Sequence, residues 1–115
     1  MKTFITACLL VMATLITMAG VAHTEPATVW VDVRSAEEFA AGHLDGAINI
    51  VHTDIAKGIA ALKLDKSTPI ALYCKSGRRA GIALDVLQNS GYSQVTNHGG
   101  YESLLQAHTT EHERQ

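Results

Sequence analysis

Ile70-Ala71-Leu72-Tyr73-Cys74-Lys75-Ser76-Gly77-Arg78-Arg79-Ala80-Gly81-Ile82-Ala83-Leu84-Asp85-Val86-Leu87 is the stretch that decides the fold. Residues 70–73 form an unbroken apolar and aromatic run, the composition of a strand buried on both faces. Residues 75–79 are a short polar loop. Residues 80–88 then place Ile82, Ala83, Val86 and Leu87 at helical spacing. Asn89-Ser90-Gly91 ends that helix, and Gly91 suits a left-handed cap. Cys74 therefore stands at the carboxyl end of a strand, just before a loop and a helix.

The same alternation continues on either side. Residues 29–33 (Val-Trp-Val-Asp-Val) read as another buried strand. Ser35 is a good N-cap, and Glu38 three residues on completes a capping box for a short helix that stops at Gly42. Residues 47–51 read as a second short strand. Asp54 is the expected N-cap of a helix over 55–62, with Ile55, Ile59 and Leu62 on one face. Residues 65–69 make a turn. Val95 marks a brief strand, Gly99-Gly100 a tight turn, and residues 101–107 a last helix with Leu104 and Leu105 inward. Residues 108–115 are a polar C-terminal tail, expected to fray. Strands alternating with helices imply an α/β fold, a small and mostly parallel sheet with helices on both faces. Ligands in such sheets bind beyond the carboxyl ends of the strands, where Cys74 lies.

The chain has 115 residues, enough for one domain. Its first 22 residues are set apart. Lys2 precedes an apolar run from Phe4, and Gly20 and Ala22 are small residues at a cleavage-type exit, so residues 1–22 read as a secretory signal peptide. The alternative is an anchor, since the run from Phe4 to Ala22 approaches the roughly 20 residues a bilayer needs. Residues 23–28 are a linker, and 29–107 the folded domain. Nine Lys+Arg less Lys2 leave 8 in the processed chain, against 11 Asp+Glu, a net charge of −3 with His neutral. With no basic stripe, nucleic acid is not an expected partner. Of the two cysteines only Cys74 survives cleavage, so it has no partner for a disulfide within the chain.

Lys75, Arg78 and Arg79 put three cations within five residues of an otherwise acidic chain. The first amides of a helix lack partners inside it and attract anions. Gly77 allows the backbone to curl so that several amides converge. A thiol held there has its pKa lowered, which suits nucleophilic attack on a small anion. The competing reading makes Cys74 an inert end of a core strand. Cations at a helix N-terminus oppose the helix dipole, however, so their placement favours a binding role.

Asp32-Val33-Arg34 with Glu37-Glu38-Phe39, then Gly42-His43-Leu44-Asp45-Gly46-Ala47-Ile48-Asn49-Ile50, resembles the N-terminal signature of rhodanese-like domains. Tyr73-Cys74-Lys75-Ser76-Gly77-Arg78-Arg79-Ala80 resembles their active loop, and Gly91-Tyr92 and Gly99-Gly100-Tyr101-Glu102 match two further signposts. The resemblance covers about residues 29–105 and extends to the short exported members of the family. It implies a sulfurtransferase in which Cys74 takes the outer sulfur of a donor such as thiosulfate, becomes a persulfide, and passes the sulfur to cyanide or a thiol, a thioredoxin-like protein among the thiol candidates. It implies that the Lys75, Ser76, Gly77, Arg78 and Arg79 loop cradles the sulfur, with Arg78 or Arg79 meeting the donor's charge. Asp32 and Arg34 enter as supporting residues or as a structural ion pair, both readings standing. No metal or organic cofactor is implied, and the expected form is a monomer in the periplasm, or one anchored to the membrane and facing it. Leu104 stands where an aromatic residue is common, and Val51 where proline is; neither touches the cysteine loop.

Two other functions compete. One is a carrier that holds a persulfide for a dedicated partner. The other is a thiol phosphatase or arsenate reductase. Related phosphatases use Cys, five residues, then Arg; here Arg79 follows after four, and Ala80 stands at the phosphatase position. His43 reads as structural. His108 and His112 have helical metal-ligand spacing but no third ligand in view.

Overall fold

The structure is a computed structural model, and it describes residues 26–114. Residues 1–22, read as a signal peptide, lie outside the described residues, as do residues 23–25 of the linker. Four strands, β1 (Val29–Asp32), β2 (Ile48–Asn49), β3 (Ile70–Cys74) and β4 (Val95–Gly100), form one parallel sheet in the order β2-β1-β3-β4. Four helices, α1 (Ala36–Ala41), α2 (Ile55–Ala61), α3 (Arg78–Asn89) and α4 (Tyr101–Arg114), connect and cover it. β3 is buried along its whole length, as its continuous apolar run requires.

Side-chain alternation sends residues to two faces. Val31, Ile70, Leu72 and Val95 join Ile55 and Ile59 of α2 and Ala80, Ala83 and Leu87 of α3 in the larger core. Tyr73, on the opposite face, packs with Leu44, Ala47 and the half-buried Trp30, Phe39, Tyr101 and Leu104. The Tyr73 hydroxyl accepts a hydrogen bond from the Leu44 amide at 3.1 Å, and burial pushes its pKa up to about 12.

Local signals set several boundaries. The Ser35 capping box forms: the Ser35 side chain accepts from the Glu38 amide, and the Glu38 carboxylate accepts from the Ser35 amide. Gly91 has φ 98°; its amide donates to the Gln88 carbonyl and that of Tyr92 to Leu87, the two bonds that close a helix through a left-handed residue.

Other expectations need correction. Asp54 does not cap α2 with its side chain, because a turn of 3-10 helix over His52–Asp54 runs directly into α2. Leu62 lies past the last turn of α2 and is 41% exposed. Ile82 is also exposed, because the buried stripe of α3 runs through Ala80, Ala83 and Leu87 and is rotated away from it. Leu105 is exposed while its neighbour Leu104 turns to the sheet; one helical step of about 100° separates them. β2 is only two residues long, Ile48 and Asn49 pairing with Val31 and Asp32 of β1. β4 is longer than the brief strand expected. Gly100 pairs with Cys74 across a register shift, so Gly99-Gly100 belongs to the strand end and is not a free turn. α4 extends to Arg114, beyond the residues 101–107 expected of the last helix, with no glycine or proline to stop it.

Candidate active site

Parallel strands and short connections bring the carboxyl ends of β1 and β3, the start of α3 and the end of β4 to one rim of the sheet. Cys74 is the last residue of β3. Gly77, at φ 95°, is the N-cap of α3, so the helix begins at Arg78, two residues earlier than its apolar spacing suggests. The glycine cap has no side chain to occupy the first helical amides. The first bond of the helix runs from the Gly81 amide to the Gly77 carbonyl, which leaves the amides of Arg78, Arg79 and Ala80 without helical partners.

The amides of Arg79 and Ala80, together with those of Ser76 and Gly77, face the sulfur. The Gly77 amide donates to Cys74 Sγ at 2.9 Å. Burial alone pushes the thiol pKa up, but hydrogen bonding from the backbone of Ala80, Ser76, Gly77 and Arg79 outweighs it, and the net shift is downward. The residue is only 1% exposed, so the sulfur sits at the floor of its loop.

The loop is held from behind. Asn97 Nδ2 donates to the Gly77 carbonyl at 2.9 Å, and Asn97 Oδ1 accepts from the Gly99 amide. Gly100 passes so close to the loop that a Cβ placed on it would lie 2.3 Å from the Lys75 carbonyl oxygen. None of these supports is signalled by the residues next to the loop.

The cations divide into two groups. Lys75 and Arg78 are exposed, while Arg79 is partly buried and tied to Glu38 by two hydrogen bonds of 2.7 and 3.1 Å. Glu38 thus both caps α1 and tethers the start of α3. The Arg79 guanidinium, followed by the Ser35 backbone, holds the Glu38 carboxyl down at about 2. Its folded pKa is depressed, so its contribution to stability is present above the ordinary glutamate range and lost as pH falls toward 2. Glu38→Gln is expected to flatten the decline of the unfolding midpoint between about pH 4.5 and pH 2. Circular dichroism melts across that interval check it; an unchanged slope would mean the pair does not couple to folding.

Asp32 and Arg34 form a buried ion pair with bonds of 2.7 to 3.1 Å, and Arg34 also donates to the Gly42 carbonyl at 2.7 Å. Arg34 further lines, with Lys75, a cleft beside the loop, so it is both an ion-pair partner and a neighbour of the site. His43 lies over the Phe39 ring with centroids 3.6 Å apart, and its Nδ1 is 2.8 Å from the Phe39 carbonyl. Among the described residues no group of three or more potential ligands could hold a metal ion.

Comparison with known proteins agrees with this architecture. The rhodanese-like domain family profile matches residues 19–107. Thiosulfate sulfurtransferase PspE of Escherichia coli K12 is 37% identical over 75 residues, which cover 65% of this chain and 72% of that protein. Thiosulfate sulfurtransferase GlpE of Pseudomonas fluorescens SBW25 is 35% identical over 79 residues, covering 68% and 71%. A solved structure described as rhodanese with anions from E. coli superposes with a TM-score of 0.63 at 38% identity, over 66% of this chain and 89% of that one. With its parallel sheet, cysteine loop and matched signature, the chain belongs to the rhodanese-like domain family.

Proposed function

We propose that this protein is a thiosulfate sulfurtransferase that works through a persulfide on Cys74. The observation that carries the reading is the sulfur of Cys74, held under the Gly77 amide and facing the unpartnered amides that open α3. Such a site favours a thiolate and, after reaction, a terminal sulfur anion. The Cys74 thiolate attacks the outer sulfur of thiosulfate. The sulfur–sulfur bond of the donor breaks, and sulfite leaves with the electron pair. Cyanide or a thiolate then attacks the outer sulfur of the persulfide, and the pair returns to Cys74. The cycle needs no metal, cofactor or external oxidant.

Arg79 is engaged by Glu38, so Arg78 and Lys75 are the loop cations free to meet the anionic donor. Ser76 and Gly77 contribute backbone amides to the cradle, and Asp32 with Arg34 braces the strand end beside it. Ala80, at the position where related phosphatases carry arginine, is fully buried in the core, which disfavours phosphate transfer. The apolar leader at residues 1–22 supports export to the periplasm. Among the described residues no helix is long and apolar enough to cross a membrane. The small acceptor need not be cyanide in the cell; a thiol or a thioredoxin-like protein fits the same chemistry. A monomer suffices for this cycle.

Purified protein mixed with thiosulfate and cyanide is expected to release thiocyanate at a rate proportional to enzyme. Absence of thiocyanate at saturating levels of both would reject the activity.

A further inference from the structure

The backbone of Gly77 has two tasks. In a left-handed conformation (φ 95°, ψ −12°) it starts α3 and gives its amide to Cys74 Sγ at 2.9 Å. Glycine reaches that conformation without strain, and it leaves it as easily. Inside the helix the bond from the Gly81 amide to the Gly77 carbonyl, 2.9 Å, opposes such a departure, but bonds at a helix end fray. A second restraint comes from β4, where Asn97 Nδ2 donates to the same carbonyl, also at 2.9 Å.

The Asn97 side chain is itself aimed. Its Oδ1 accepts from the Gly99 amide two residues on, at 2.9 Å, in the manner of an Asx-turn. Turning the side-chain amide over would set Oδ1 against the Gly77 carbonyl and Nδ2 against the Gly99 N–H, so the two contacts together fix its orientation. Alternation along β4 puts Asn97 on the α3 side of the sheet, where a Cβ added to Gly81 would lie 3.6 Å from Nδ2. Thr96 and His98 bond each other at 2.8 Å on the opposite side. Asn97 is exposed, so its bonds compete with water and add little to stability. The direction they impose on Gly77 is a separate effect.

We propose that Asn97 is a positioning residue for sulfur transfer, holding Gly77 in the conformation that keeps its amide on the Cys74 sulfur and its carbonyl on α3. This rests on the persulfide reading above. When Gly77 leaves that conformation, the thiolate loses a donor, and so does the sulfur it later carries. Asn97 is bonded to Gly77 and Gly99 and acts on the sulfur only through Gly77. The charged groups around the thiol keep their places without it. Arg79 is held by Glu38 and Arg34 by Asp32, Lys75 is exposed on the loop, and His98 packs against Trp30 across the sheet.

Cys74 is the one cysteine of the processed chain, so its ionisation can be followed by thiolate absorbance against pH with no sulfur donor present. Asn97→Ser keeps an acceptor for the Gly99 amide but is too short to reach Gly77. Its Cys74 midpoint is expected to rise by about one pH unit, a tenfold loss of thiolate below the midpoint, and loading from thiosulfate should slow by the same factor there. Asn97→Asp is isosteric and, when ionised, has no donor for Gly77. It should show at least the same rise, and the rise should persist in high salt, which screens the added charge. A midpoint within about 0.3 unit of wild type in Asn97→Ser, with or without a lower melting temperature, would make Asn97 structural only and overturn the assignment. A rise confined to Asn97→Asp and erased by salt would overturn it too. Wild-type protein that forms its thiolate but takes no sulfur from thiosulfate would reject the persulfide reading instead.

Discussion

Cys74→Ser is expected to lower sulfur transfer from thiosulfate by at least about a thousandfold, with the fold retained. Serine is nearly isosteric with cysteine. Its hydroxyl can still accept the Gly77 amide that Sγ accepts at 2.9 Å, so the 1% exposed position should tolerate the change. What the hydroxyl cannot do is ionise near neutral pH or accept a sulfur atom reversibly. In the wild type the loop amides lower the thiol pKa below its ordinary value. The rate of persulfide formation should therefore rise with pH through that lowered pKa and level off before the ordinary thiol range. Stopped-flow loading across pH, beside a circular dichroism spectrum of the serine variant, checks both parts. Residual activity within tenfold of wild type would mean that another group carries the sulfur.

Gly100→Ala is expected to cost at least about a hundredfold in transfer, the scale of a misplacement of roughly 1 Å in an active site. The reason is contact and not backbone conformation, because the new Cβ would lie 2.3 Å from the Lys75 carbonyl oxygen and 3.1 Å from its carbon. Either β4 or the loop must move. The loop follows directly from Cys74, so its amides would no longer converge on the sulfur. Gly46→Ala is the informative control. Gly46 has φ 84°, and a Cβ added there would meet no atom within 4 Å, so alanine strains the backbone without touching the site. Gly46→Ala should lose stability by about 1 kcal/mol and keep its rate. Gly100→Ala should lose rate out of proportion to its melting temperature. Parallel losses in both variants would show that Gly100 matters only for stability.

The strand that ends at Cys74 was legible in the sequence because neighbouring residues specify it, whereas α3 opens at Gly77, before the helix that the apolar spacing placed over residues 80–88. A continuous apolar run, a small polar loop and a helical period are local signals, and so are the capping box at Ser35 and the left-handed stop at Gly91. The supports of the loop are a different matter. Arg79 meets Glu38 across 41 positions of sequence, and Asn97 meets Gly77 across 20. Glu38 already had a sufficient local role as the partner of Ser35, which hid its second one. Gly99-Gly100 read as a turn, yet the demand for glycine at position 100 comes from the Lys75 backbone, not from its own neighbours. Leu62, Ile82 and Leu105 show a related limit. A helical period identifies an apolar side to within about one residue step of 100°, and only the position of the sheet decides which neighbour is buried.

The most direct test of the central claim is the intact mass of the reduced protein before thiosulfate, after thiosulfate, and after subsequent cyanide. The persulfide mechanism predicts a gain of one sulfur atom on the peptide that contains Cys74, then its complete removal by cyanide with an equal amount of thiocyanate released. An unchanged mass after thiosulfate, on protein whose thiol is shown to be free, would contradict it.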